Sequence, residues 1–310
     1  MVATADEVAR AVLGAGDGAK PVLAVLVSAE GIPEALRSGG SRVAAFRFPE
    51  AAARTLSLAA ARAEWLRRPA GSVPALDDID TEAARAVVDE ALARSDDAWL
   101  EPEAAQRILD AYGIPLVKER LAADADGAAT AAADVGFPVV VKVAAAGVHK
   151  TETGGVAVDL ADERAVRAAA GRMGGPLLVQ PMISGGVELL AGLVQDPVFG
   201  PLVAFGPGGV LAELIGDAGF RIAPLTDADA VGLVQSGKAG RLVVGFRGRP
   251  PSDAAALVDL VLRLSRLGQD LHEVAELDLN PVLALAEGCV AVDARIHVRG
   301  VEPVSRLKSW

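Results

Sequence analysis

The sequence predicts an α/β arrangement near its start and an α+β arrangement over most of the remainder. Over residues 1–68, helical segments alternate with apolar strands, which is typical of parallel βαβ units. Further along, short strands follow one another directly and helices are interspersed, which indicates antiparallel hairpins. The 310 residues are enough for two domains, since a domain of this kind takes about 150 residues.

The first region is predicted to be part of a larger α/β domain. Its elements are a helix over 4–13, a strand "PVLAVLV" (21–27), a helix opening in "EGIPEALR" (30–37), a strand "RVAAF" (42–46) and a long helix "PEAAARTLSLAAARAEWLRR" (49–68). Pro49 suits the first turn of that last helix. Because two strands alone do not make a stable sheet, we expect an exposed edge here that pairs with a partner chain or with another copy.

A linker is predicted at residues 69–80, "PAGSVPALDDID", which combine Pro, Gly, Ser and acidic residues without periodicity. The second domain then runs over 81–310. Its predicted elements are helices over 81–94 and 102–112, a strand over 115–118, a helix near 124–135, the strands "FPVVVKV" and "GGVAVDL", a helix near 162–173, the strands "PLLVQPMI", "GVELLAGLV" and "PLVAFG", a long amphipathic helix "PSDAAALVDLVLRLSRLG", and a closing hairpin of "AELDLNPVLAL" with "CVAVDARIHV".

Composition excludes several classes of protein. The net charge of −11 argues against a nucleic-acid partner, because binding a phosphate backbone requires a basic face. The single cysteine, Cys289, excludes an intrachain disulfide and a cysteine-based zinc cluster. The start "MVATADEVAR" lacks the basic and apolar regions of a signal peptide, and no apolar stretch reaches the ~20 residues that span a bilayer. We therefore expect a cytoplasmic protein without a membrane partner.

The closing hairpin carries the first candidate site. Glu276, Asp278 and Asn280 alternate with leucines, so the two-residue period of a strand places them on one face. Asp293, in the second strand, is expected nearly opposite Asn280. Two carboxylates and an amide that converge on a half-buried sheet favour a cation among them, and their oxygens suit Mg²⁺. The alternative is a solvated strand face with incidental acids.

Lys142 ends the apolar strand "FPVVVKV", where a buried ammonium group requires a partner. A phosphate oxygen would serve, and so would Glu188, the only charged residue of "VELLAGLV". The sequence alone leaves a nucleotide-binding lysine and a structural Lys–Glu pair equally open.

The stretch "VHKTETGG" (148–155) places His149, one of three histidines, between two predicted strands. A neutral imidazole is a competent nucleophile, and flanking glycines relieve backbone restrictions on the loop. Lys150 and the neighbouring threonines could contact a phosphate. An exposed loop histidine and a passive phosphate-covering loop remain alternatives.

Several segments in fixed order resemble the ATP-grasp portion of NDP-forming acyl-CoA synthetases, a family that includes ADP-forming acetyl-CoA synthetase and is related to succinyl-CoA synthetase. They are "GIPLVKERLA", "FPVVVKV…GVHKTETGGVAV", "VQPMISGGVELLAGLVQDPVFGPLVAFGPGGVLAEL", "SRLGQDLHEVAELDLNPV" and "AVDARI". The resemblance covers roughly 80–298 and implies an ATP-grasp fold over 81–310. Residues 1–68 resemble the closing part of the preceding ligase-CoA domain, which implies a partial flavodoxin-like fold.

The resemblance also implies roles for individual residues. Lys142 would hold the nucleotide phosphates of ATP or ADP, and His149 would carry a phosphoryl group toward or from ADP. The remaining implied residues are Gln180, Pro181 and Met182 at the adenine, Glu188 facing the nucleotide, and Asp278, Asn280 and Asp293 around Mg²⁺.

The implied reaction is acyl-CoA + ADP + phosphate ⇌ acid + CoA + ATP. In the family, a CoA-binding domain and a first ligase domain with another phosphorylated histidine precede this region, and their motifs are not found in these 310 residues. We therefore expect a CoA-binding or ligase-CoA subunit or domain as partner, in a homo- or hetero-oligomer. One alternative is a non-catalytic ATP- or ADP-binding regulatory or assembly module. Another is a self-sufficient ATP-grasp ligase that joins a carboxylate to an amine.

Overall fold

A computed structural model describes residues 4–14, 20–28, 31–37, 42–144, 155–209 and 216–300. The chain divides into two compact units, residues 1–69 and residues 70–310. Within the described ranges, no helix combines the length and the apolar character needed to cross a membrane.

The first unit has a small α/β core. Its described elements are α1 (Ala5–Gly14), β1 (Leu23–Val25), α2 (Glu34–Arg37), β2 (Ala44–Phe46) and α3 (Pro49–Arg67). Strands β1 and β2 pair in parallel, which confirms the predicted βαβ pattern. Their core consists of Ala9, Ala24, Leu36 and Val43, while Ala52 is the only buried side chain of α3 among the described residues. The assignment of this unit to a ligase-CoA domain stays a prediction.

The second unit opens with two helices and the strand β3, which belongs to the larger sheet, and it continues with the elements of a smaller sheet. These elements are α4 (Thr81–Leu92), β3 (Asp97–Trp99), α5 (Pro102–Ala111), β4 (Arg120–Ala122), α6 (Ala125–Val135), β5 (Val139–Val143), β6 (Val156–Leu160), α7 (Glu163–Met173) and β7 (Leu177–Pro181). The small sheet is antiparallel with strand order β4-β7-β5-β6. Helices α6 and α7 pack on it through buried alanines such as Ala128, Ala129 and Ala170. Small side chains let both helices approach the sheet closely.

The large sheet holds most of the remaining chain. Its further elements are β8 (Val187–Asp196), β9 (Gly200–Pro207), β10 (Gly219–Ile222), α8 (Asp227–Val234), α9 (Gly237–Val243), α10 (Ala254–Asp270), β11 (Val274–Ala284), β12 (Cys289–Ala291) and β13 (Ala294–Arg299). The strand order is β10-β9-β8-β11-β13-β3, and β12 pairs with β11.

Alternation along the strands gives the large sheet a core face and an open face. On β11, Leu277 and Leu279 are buried, whereas Asp278 and Asn280 are half-buried and Glu276 is exposed. This confirms the period-two prediction for the closing hairpin. The core face packs on helices that include α10, whose buried side chains are Leu257, Leu260, Val261, Leu264, Ser265, Leu267 and Gly268.

Several predicted elements differ from the structure. The predicted strand over 115–118 is wrong: Leu116 makes only an isolated bridge to Ala291, and the strand begins at Arg120. Strands β3, β4 and β10 have four residues or fewer, which is too short for a two-residue period to stand out. The last predicted strand is divided into β12 and β13, and the break falls at residues 292–293.

Truncation of a core leucine of α10 should destabilise the second unit. Leu260 is 1% exposed and Leu121 of β4 is 69% exposed. Leu260→Ala is expected to lower the free energy of unfolding by about 2–5 kcal/mol, because it leaves a cavity. Urea unfolding followed by circular dichroism measures the change, and Leu121→Ala is the matched control. Equal losses in both variants would contradict this assignment of the core.

Candidate functional site

Lys142 is the buried cation of the candidate site. Its side chain, in β5, is 4% exposed. The ammonium forms ion pairs with Glu119 and with Asp293, at 3.1 Å from Asp293 Oδ1, and donates to the backbone oxygen of Val292 at 3.0 Å. The small sheet therefore contacts the large sheet at the junction of β12 and β13. Among the described residues Lys142 has no ion pair with Glu188, so that proposed partner is wrong.

Glu119 is the partner that sequence reasoning missed. It lies immediately before β4, and its side chain is 12% exposed. Glu119 and its exposed neighbour Lys118 look alike as charged residues in "LVKERLA", so neither periodicity nor composition distinguishes the buried one. The available signal was the buried lysine itself, which required an acid from another strand.

Asp278 and Arg295 face each other across β11 and β13. Arg295 Nη2 lies 3.3 Å from Asp278 Oδ2, and the guanidinium also lies over the ring of Trp99, 5.3 Å from its centroid. Burial raises the pKa of Asp278, and the negative charges of Glu276 and Asp293 add to the rise, although Arg295 opposes it. The ionised form of Asp278 therefore lowers the stability of the folded protein.

Asn280 and Asp293 lie together where the strand register shifts. Leu279 pairs with Ala294 and Val282 with Ala291, and the backbone N–H of Val292 donates to the oxygen of Pro281 at 3.0 Å. Asp293 is thereby placed beside Asn280, near the position that the hairpin pattern predicted.

Glu188 occupies the same corner of the open face as Asn280. The backbone N–H of Gly209 donates to Asn280 Oδ1 at 3.0 Å. A Cβ at Gly209, whose φ is +68°, would lie 1.8 Å from Glu188 Oε2. Only glycine fits this position, because a side chain would meet the carboxylate and strain the backbone.

Gln180 carries an unpartnered acceptor. Its side chain is 4% exposed, and within the described ranges its buried Oε1 has no hydrogen-bond donor. Gln180 pairs with Val140 in the register of β5 and β7, so it shares a sheet face with Lys142. At the exit of β7, Pro181 is the last strand residue, and the N–H of Met182 donates to the oxygen of Pro138 at 2.9 Å.

The donor set of this site suits Mg²⁺ held with phosphates. In the part of the chain that the structure describes, no group of three His, Cys, Asp or Glu side chains forms a metal site by itself. Asp278, Asn280 and Asp293 supply only carboxylate and amide oxygens. Mg²⁺ usually keeps several waters and takes one or two carboxylates together with substrate phosphates, so these residues fit such an ion.

The structure describes the surroundings of His297 but not those of His149. His149 and its neighbours 145–154 lie outside the described residues. His297, by contrast, stacks on Trp99 with ring centroids 4.8 Å apart, and its Nε2 lies 2.7 Å from Asp97 Oδ1. These contacts give His297 a packing role between β3 and β13.

Removal of the Lys142 charge should destabilise the second unit. In Lys142→Met, Glu119 and Asp293 would remain close together without their cation, which costs about 3–5 kcal/mol for a buried pair. Urea unfolding at pH 7 measures the loss.

The exposed neighbour provides the control for that measurement. Lys118→Met should change the free energy of unfolding by less than about 0.5 kcal/mol. Adding Glu119→Gln to Lys142→Met should restore part of the lost stability. A double variant that is no more stable than Lys142→Met alone would contradict the ion-pair assignment.

Asp278→Asn is expected to stabilise the protein at pH 7. Because burial raises the pKa of Asp278 above its unfolded value of about 3.9, the protonated form favours folding, and this contribution is lost as the pH rises through the folded pKa. The gain in free energy of unfolding should therefore disappear below about pH 4. Glu276→Gln, at an exposed position of the same strand, is the control, and a gain that persists at pH 3 would refute the argument.

Comparison with known proteins gives consistent matches over the second unit. The ATP-grasp domain family matches residues 90–298. The chain is 34% identical over 294 residues to 4-hydroxybutyrate–CoA ligase [ADP-forming] of Nitrosopumilus maritimus, covering 89% of this chain but only 42% of the relative. It is 33% identical to the beta subunit of acetate–CoA ligase [ADP-forming] I of Pyrococcus furiosus, covering 69% of this chain and 97% of that subunit.

Solved structures agree with this result. One is the dinucleotide-forming acetyl-coenzyme A synthetase 1 of Ca. Korarchaeum cryptofilum in complex with coenzyme A, Ca-AMPCP and HgCl⁺. It has a TM-score of 0.65 and 40% identity, covering 70% of this chain and 100% of that one. PH1788 of Pyrococcus horikoshii has a TM-score of 0.65 and 32% identity, covering 72% of this chain and 100% of that one. The expected ATP-grasp fold is thus confirmed for the second unit, and the chain belongs to the ATP-grasp family as a homologue of the beta subunits of ADP-forming acetate–CoA ligases.

Proposed function

We propose that this chain is the nucleotide-binding and phosphoryl-transfer part of an NDP-forming acyl-CoA synthetase. The observation that carries the proposal is that two buried polar groups, Lys142 and Gln180, lie on the same face of the small sheet. Lys142 is a buried cation beside Asp293, and Gln180 Oε1 is a buried acceptor without a donor in the described part of the chain. A nucleotide supplies both phosphates for the cation and an amino group for the acceptor.

The nucleotide would lie along this face with its base at the exit of β7. Gln180, Pro181 and Met182 would border the adenine, whose exocyclic amino group could donate to Gln180 Oε1. Lys142 would bind the phosphates, and Glu188 would face the nucleotide from β8. The Korarchaeum relative was crystallised with the nucleotide analogue Ca-AMPCP, which supports nucleotide binding by this family member.

Asp278, Asn280 and Asp293 would hold Mg²⁺ next to the phosphates. When bound, the ion would offset negative charge on the transferring phosphoryl group. Lys142 would contribute to the same charge balance, as cationic groups do in phosphoryl transfer generally. Asn280 is oriented by Gly209 through their hydrogen bond, so its oxygen has a fixed direction.

His149 would be the phosphoryl acceptor. A nitrogen of its neutral imidazole would attack the γ-phosphorus of ATP, and the bond between that phosphorus and the β–γ bridging oxygen would break. ADP would depart as the leaving group, and His149 would become a phosphohistidine. The reverse step would form ATP from ADP. A related Korarchaeum structure with Mg-AMPPCP has a phosphohistidine segment that points towards its nucleotide-binding site, which supports this role.

The full reaction, acyl-CoA + ADP + phosphate ⇌ acid + CoA + ATP, would need a CoA-binding and ligase-CoA partner. The chain spans less than half of the Nitrosopumilus ligase. The Pyrococcus furiosus relative that it covers almost completely is named a beta subunit, which supports a partner subunit or domain.

Labelling with γ-³²P-ATP and Mg²⁺ tests the phosphohistidine. The parent chain should acquire an alkali-stable, acid-labile label, and His149→Asn should lose it. His272→Asn and His297→Asn replace the other two histidines of the sequence and should keep the label. Subsequent addition of ADP should remove the label as ATP.

Three outcomes would overturn this function. Binding of ADP without any labelled protein, even with a CoA-binding subunit present, would favour a non-catalytic regulatory or assembly module. Equal labelling of His149→Asn would remove the proposed acceptor. Turnover of a carboxylate with an amine by that same variant would indicate a self-sufficient ligase.

A further inference from the structure

The open face of the large sheet has an apolar half on strands β8, β9 and β10. Residues that pair directly across strands share a face, and two such rows cross these strands. One row is Asp278, Gly192, Ala204 and Phe220, and the next is Glu276, Val194, Leu202 and Ile222. We call Val194, Leu202, Ala204, Phe220 and Ile222 the apolar face. It is continuous with the polar residues of β11.

The apolar face is exposed to solvent although its side chains are large. Phe220 is 52% exposed, Ile222 54% and Val194 37%. The opposite side of the same strands is fully packed, since Val203 and Phe205 are at most 1% exposed. At the adjoining β8–β9 turn, Val198 and Phe199 are 80% and 59% exposed. Contiguous exposed apolar surface of this kind marks interaction sites in soluble proteins.

The position of the apolar face relates it to the candidate site. Its Phe220 row leads through Gly192 to Asp278, one of the proposed magnesium ligands. A Cβ at Gly192 would lie 2.8 Å from the backbone oxygen of Leu277, so this position of the row is kept free of a side chain. The small sheet contacts the large sheet at Val292 and Asp293, and the exposure of the apolar face shows that the described residues leave it uncovered.

We propose that the apolar face docks the CoA-binding partner of the synthetase, an inference that rests on the proposed function. The face lies inside the matched region, residues 90–298. This region corresponds to relatives that are named beta subunits and that the chain covers to 97%. A protein seated on Phe220 and Ile222 would share the sheet face of Asp278, with only β9 and β8 between them, and could exchange a phosphoryl group with the proposed site along that face.

Another exposed apolar surface fits this partner less well. It lies on α3, where Leu58, Trp65 and Leu66 are more than half exposed. That helix is outside the region matched by the family and belongs to the other compact unit.

Binding to a purified partner subunit tests the proposal. The probe is the CoA-binding subunit that accompanies the beta subunit of Pyrococcus furiosus acetate–CoA ligase I, and sedimentation velocity measures the complex with the full chain. Phe220→Glu should weaken binding at least about 30-fold, as expected when a charge replaces an apolar contact at the centre of an interface. Phe246→Glu is the matched control, because Phe246 is also 52% exposed but follows α9. The control should bind like the parent.

ADP titration of each variant separates this inference from the proposed function. Phe220→Glu should bind ADP like the parent, since the face carries no nucleotide ligand. Circular dichroism checks the fold, and Ile222→Glu serves as a second variant if Phe220→Glu unfolds.

Three outcomes would overturn the docking site. They are partner binding by Phe220→Glu and Ile222→Glu at parent affinity, absence of binding by the parent, and a dimer of the chain alone that Phe220→Glu dissociates. The last would assign the face to a second copy. In each case ADP binding and the labelling of His149 decide the proposed function independently.

Discussion

The buried ammonium of Lys142 is the interaction on which the site depends. Removal of an ammonium from water costs several kcal/mol, and here three acceptors offset that cost: Glu119, Asp293 and the backbone oxygen of Val292. Glu119 lies next to the small sheet and the other two lie in the large sheet. The Lys142 ammonium therefore links the small sheet to the large sheet at the β12–β13 junction.

The same arrangement explains why the open face tolerates its acidic residues. Asp293 is paired with Lys142 and Asp278 with Arg295, so each carboxylate has a cation within reach. At Asp278 the positive charge of Arg295 does not fully offset the effect of burial, and the pKa of the carboxyl stays raised. A group that costs stability in its ionised form is a common feature of functional sites. A cation bound between Asp278 and Asn280 would offset the remaining negative charge of the Asp278 carboxylate.

Local pattern predicted the parts of the fold and site that depend on neighbours in sequence. The alternation of Leu277 and Leu279 with Asp278 and Asn280 fixed the faces of β11, and the apolar run before Lys142 fixed the burial of that lysine. The contacts that complete the site were not accessible in this way. Glu119 and Asp293 reach Lys142 across 23 and 151 residues of chain, and no period links such positions. Short strands such as β3 escaped prediction for the related reason that neighbours in the sheet, rather than their own residues, define them.

The register between β8 and β11 connects the two halves of the open face. Asp278 pairs with Gly192 and Glu276 with Val194, so polar residues of one strand continue directly into apolar residues of the next. A shift of one residue would turn Asp278 toward the core and Leu277 toward solvent. The burial of Leu277 and Leu279 therefore fixes the positions of both the charged and the apolar parts of the face. Because one register places both, a chain that keeps its core also keeps its polar site adjacent to its apolar surface.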